Sequence, residues 1–95
     1  MNEEHQLSTE LQRGTKAKLL LEDPLLTEAF QKLESEYFDA WKQSSVEATE
    51  QREKIWLMYA TVSSVQAQLA SVIVTGKMAE DQLKVIQQRK KNGIW

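Results

Sequence analysis

With 95 residues the chain is one domain at most, and a chain this short buries a smaller share of its surface than a longer one does. It has no cysteine, which excludes disulfides and thiolate metal sites, and only three glycines and one proline, which favours long helices over a strand-rich fold. The net charge of -2 hides an asymmetry: residues 1–50 hold eleven Asp/Glu against five Lys/Arg, a balance of -6, whereas residues 51–95 hold three against seven, or +4.

Residues 1–7 read as a frayed start; Met1-Asn2-Glu3-Glu4-His5 is acidic and has neither the basic nor the apolar region of a secretory signal. Ser8 is a candidate N-cap for a first helix over residues 8–22. Asp23-Pro24 then breaks the chain, because aspartate accepts hydrogen bonds from the free amides of a new helix and proline at the first helical position removes no needed donor. A second helix is predicted over 24–43, with Leu26, Phe30, Leu33, Tyr37, Ala40 and Trp41 on one face. Ser44 and Glu47 have the spacing of a capping box, and the short linker here folds the neighbouring helices back antiparallel. A third helix is predicted over 46–91, with Gly76 as the one place it could bend. Asn92-Gly93 then supplies a left-handed cap, and residues 92–95 form a tail.

The third helix contains the most unusual segment, Ile55 to Gly76, which is twenty-two residues without a charge. Its length suffices to cross a bilayer, but Ser63, Ser64, Gln66 and Gln68 lie at its centre, where polar side chains cost most. Periodicity points elsewhere. Ile55, Met58, Val62, Val65, Leu69, Val72, Gly76, Ala79, Leu83 and Ile86 alternate steps of three and four, the seam of a left-handed coiled coil. This seam is the expected oligomer or partner interface. Thr61, Ser64, Gln68, Ser71 and Thr75 make a second, polar and uncharged stripe of the same period on roughly the opposite face, expected to pack against another copy, with solvent exposure and membrane insertion as the alternatives. Antiparallel folding sets Trp41 near Ala48 and Leu11 near Met78, gathers Trp41, Trp56, Phe30, Tyr37 and Tyr59 as a core at the turn end, and leaves the far end, with Leu19 and Leu20, looser.

Catalytic chemistry has little to work with. The single histidine, His5, stands beside Glu3 and Glu4 in the frayed start, and there is no Gly-rich phosphate loop, cysteine nucleophile or Gly-x-Ser-x-Gly. No enzyme, cofactor or metal is expected. Lys84, Arg89, Lys90 and Lys91 form a basic C-terminal tip that either complements the helix dipole or touches DNA or an acidic partner. The terminal Ile94-Trp95 is a candidate docking anchor.

The run RGTKAKLLLEDPLLTEAFQKLESEYFDAW, with TEQREKIWLMYATVSSV and TGKMAEDQL, resembles a group of small helical proteins encoded by tailed bacteriophages and prophages. Its landmarks are Gly14, Leu20, Asp23-Pro24-Leu25-Leu26, Trp41, Arg52-Glu53, Trp56 and Gly76-Lys77. The resemblance implies a phage setting, host cytoplasm or virion, and brings no activity or site residues with it. The expectation is an all-α helical hairpin that forms a homo-oligomer and serves particle assembly or DNA packaging beside a phage structural or packaging protein. The alternatives are a phage inhibitor of a host protein and a small holin-like membrane protein.

Overall fold

The structure, a computed structural model, describes residues 2–93 and the side-chain burial of residues 3–93. It is all-α, with α1 (Asn2–Glu22), α2 (Pro24–Gln43) and α3 (Thr49–Asn92), and has no strand among the described residues. The chain divides into two compact units, residues 1–20 with 69–95 and residues 21–68, so α3 gives its C-terminal half to the first and its N-terminal half to the second.

The break between α1 and α2 is built as the sequence suggests. One Asp23 carboxylate oxygen, Oδ1, accepts from the amides of Leu25 at 2.9 Å and Leu26 at 3.0 Å, and Pro24 takes the first helical position. The Thr27 hydroxyl donates to the Leu21 carbonyl at 3.1 Å, which ties the end of α1 to the start of α2. Asp23→Ala should therefore cost about 1 kcal/mol in urea unfolding, and Asp23→Asn much less, since asparagine caps nearly as well. Equal losses in the two variants would show that the cap hydrogen bonds contribute nothing.

Three boundaries differ from expectation. α1 begins at Asn2, not at Ser8. Glu3 and Glu4 lie in its first turn, where negative charge suits the helix dipole, and Leu7 is buried, so the segment expected to fray is held by packing. α3 begins at Thr49, not at Val46, and the capping box is not made. Ser44 instead ends α2, its amide and hydroxyl both donating to the Trp41 carbonyl, and Ser45 to Ala48 close a turn through a 3.0 Å bond from the Ala48 amide. At its other end α3 runs to Asn92, and Gly93 takes the left-handed conformation at φ 69°, its amide donating to the Lys90 carbonyl. The helix is continuous through Gly76.

In the first unit, Gly76 is where α1 and α3 touch. A Cβ on Gly14 would lie 2.9 Å from the Gly76 Cα, and a Cβ on Gly76 would lie 2.8 Å from the Gly14 Cα and 3.0 Å from the Glu10 carbonyl oxygen. The helices thus meet backbone to backbone, with Leu7, Gly14 and Ala17 buried on α1 and Gly76 and Ala79 on α3. This end is closely packed rather than loose. Leu19 and Leu20 are exposed.

In the second unit α2 has no buried residue. The expected aromatic core is an open groove instead: Tyr37, Phe38, Trp41, Ile55, Trp56 and Tyr59 line a hollow of about 230 Å³, with Trp56 59% exposed. Phe30 does not line it. Large rings set on only two helices have no third layer to close over them, and small domains need such a layer to bury them.

Candidate functional site on helix α3

The heptad seam is where the correction is largest. Gly76 and Ala79 are buried, and Leu69, Val72, Leu83 and Ile86 are half-buried, on the side of α3 that meets α1. That part of the seam packs within the chain. In the second unit Ile55 and Val62 are half-buried, but Met58 and Val65 are 50% and 45% exposed, and Tyr59 and Gln66, one residue later, are half-buried instead. A strict seven-residue repeat drifts about 20° per heptad around a 3.6-residue helix, so over four heptads the repeat and the covered side part company.

The side of α3 turned away from the Gly14 contact was not singled out by the periodicity. In the first unit Ala70, Val74 and Met78 follow one another at steps of four on that side of the helix, and in the second unit Trp56, Ser63 and Ala67 share a helix face at steps of seven and four. All six are exposed, Val74 and Met78 by 59% and 58%. The signal in the sequence was the missing charge from Ile55 to Gly76, since a solvated helix face ordinarily carries Lys and Glu. On the neighbouring polar stripe, the Thr61 hydroxyl donates to its own helix at the Leu57 carbonyl, 2.7 Å away, while Ser64, Gln68, Ser71 and Thr75 are exposed.

The basic tip is partly occupied. Lys90 Nζ lies 2.7 Å from Glu4 Oε1 and Lys84 Nζ 3.1 Å from Glu80 Oε1, while Lys77 reaches Glu80 and Asp81 at 3.5 and 3.7 Å. Arg89 and Lys91 are exposed. Trp95 lies outside the described residues. The hydrogen bond from Lys90 holds the Glu4 carboxyl below its ordinary value of 4.5, and Lys84, followed by Lys77, does the same for Glu80. A carboxyl whose folded pKa is depressed adds stability that is present above its unfolded value and lost as pH falls through the folded one. In an NMR titration the Glu4 side chain should therefore show a midpoint below 4.5, returning towards 4.5 in Lys90→Gln. An unchanged midpoint in the variant would show that the pair does not form in solution.

In the second unit the Arg52 guanidinium stacks over the Trp41 ring at 4.2 Å, and Lys42 lies 5.5 Å from the Phe38 ring centre, so two cations lie over aromatic rings of the groove. No three His, Asp or Glu side chains gather into a metal-binding group among the described residues. α3 is the one helix, among the described residues, long and apolar enough to cross a membrane by length and composition. Compared with family models, curated proteins and solved structures, the chain matches none.

Proposed function

We propose that the protein is a non-enzymatic structural subunit that works by self-association through the exposed, uncharged face of α3. Its proposed setting is phage particle assembly or DNA packaging, in host cytoplasm or virion, a context drawn from the resemblance to small phage proteins. The observation that supports the reading is the uncharged run from Ile55 to Gly76, on which Trp56, Leu57, Met58 and Val65 in the second unit and Val74 in the first are exposed.

Membrane insertion is disfavoured by what accompanies the same segment. In the second unit, α2 shares its packing with the first half of α3, and Glu28, Lys32, Glu36 and Asp39 on α2 are all exposed. A bilayer around this fold would take those charges into hydrocarbon. Light scattering after size exclusion, without detergent and at two concentrations, tests the reading: a discrete soluble oligomer is expected. A monomer at both concentrations, or a protein soluble only in detergent, would overturn it.

The aromatic groove supports a second reading, an inhibitor that binds one host protein. Trp41 and Trp56 are exposed in this apolar hollow, and tryptophan is a common anchor at protein interfaces. A monomer that captured one host protein, and lost it on Trp41→Ala, would favour this reading.

A further inference from the structure

We propose that the aromatic groove of the second unit docks an acidic peptide segment of a partner protein, anchored by one large apolar side chain. The inference rests on the reading of that groove as a protein-binding surface and adds the chemistry of its occupant. Every residue it uses lies within residues 21–68.

Size limits the occupant first. The hollow between Phe38 and Trp41 on α2 and Ile55 and Trp56 on α3 measures about 230 Å³. Pockets that enclose drug-sized molecules run from roughly 300 to 1,000 Å³, so this one has room for a side chain rather than a cofactor. Phe38 and Trp56 are 50% and 59% exposed, and an apolar group entering the hollow takes ring surface out of water.

Charge names the rest of the partner. Residues 21–68 hold nine Asp/Glu and only four Lys/Arg, yet two of those four cations, Lys42 and Arg52, lie over rings that line the hollow. Neither makes a salt bridge among the described residues, although carboxylates are in excess throughout this unit. Stacking on Trp41 occupies a face of the Arg52 guanidinium and leaves its in-plane N–H donors, the fork that grips a carboxylate with two hydrogen bonds. The neighbouring carboxylates stand off this end of the groove. Glu36 and Asp39 project from the other side of α2, Glu53 stands about 100° round α3 from Arg52, and Glu34 lies one turn before Phe38, away from the loop between the helices. An acidic segment therefore meets its two cations at the loop end, with its apolar residue in the hollow.

Three acetylated and amidated hexapeptides, EEFLEE, KKFLKK and EEAAEE, test the proposal when titrated into the isotope-labelled full chain, with the indole N–H signals of Trp41 and Trp56 as the readout. EEFLEE should move both signals and bind at least about tenfold more tightly than either of the others. In Lys42→Glu combined with Arg52→Glu the preference should pass to KKFLKK. Lys42→Glu alone, at an exposed position, should weaken EEFLEE without disturbing the fold. Equal binding of EEFLEE and KKFLKK would overturn the acidic partner while leaving the groove a protein-binding surface, and equal binding of EEAAEE would overturn the apolar anchor. No response to any of the three would overturn both the proposal and the groove reading, and signals that move only on dilution of the protein would give the groove to a second copy.

Discussion

Replacing Gly76 with alanine is expected to destabilise the protein by about 1–2 kcal/mol, although alanine is the better helix former by about 1 kcal/mol. The added methyl would lie 2.8 Å from the Gly14 Cα and 3.0 Å from the Glu10 carbonyl oxygen. Both are backbone atoms, so no side chain can turn aside and α1 has to shift as a body. Overpacking of this kind typically costs 1–3 kcal/mol, enough to outweigh the propensity gain. Gly14→Ala should behave alike, its methyl falling 2.9 Å from the Gly76 Cα and 3.2 Å from the Val72 carbonyl oxygen. The double variant should cost less than the two singles together, because one shift of α1 makes room for both methyls. Urea midpoints at one fixed protein concentration check all three, with exposed Ala70→Gly as the control that reports helix propensity alone. A midpoint for Gly76→Ala above that of the parent would rule out the close crossing.

The other large effect concerns assembly. Ala67→Glu combined with Ala70→Glu should raise the dissociation constant of the oligomer by at least about 100-fold, roughly 3 kcal/mol, with the helix content of the chain unchanged. Both positions are exposed, so the substitutions leave the packing within the chain alone. In copies that meet through the uncharged face of α3 they bring four carboxylates into the contact, where each loses water and faces its like, and juxtaposed like charges at an interface cost several kcal/mol. Ala67→Ser, which keeps the size and adds no charge, should shift the constant by less than tenfold. Light scattering together with circular dichroism separates dissociation from unfolding. A double-glutamate variant with the parent's mass would place the interface elsewhere, the exposed aromatic groove being the next surface to test.

Much of the local architecture was legible in the sequence, because its signals act between near neighbours. Asp23-Pro24 marked the break between α1 and α2, and Asn92-Gly93 marked the end of α3, through hydrogen bonds that reach only two to four residues along the chain. The steps of three and four marked Leu69, Val72, Gly76, Ala79, Leu83 and Ile86 as one helix face, expected to meet another copy, and within the chain Gly76 and Ala79 are buried and the other four half-buried. What that face packs against was not legible. Gly76 is covered by Gly14, sixty-two residues earlier, and a glycine inside a helix reads locally as a weak point rather than as a place where another backbone arrives.

Tertiary pairing also decided the remaining differences. Leu7 is buried in the packed first unit, and α1 reaches back to Asn2 where composition alone suggested fraying. Trp56 and Phe38 are as apolar as any core residue, yet they stay exposed because burial needs a surface to close over them, and the two helices of the second unit supply only one side. By itself the sequence determined three helices, the caps at Asp23 and Gly93 and the uncharged length of α3. Only the fold decided which side of α3 the chain covers for itself and which it leaves open, because that choice depends on helices meeting across sixty residues of intervening chain.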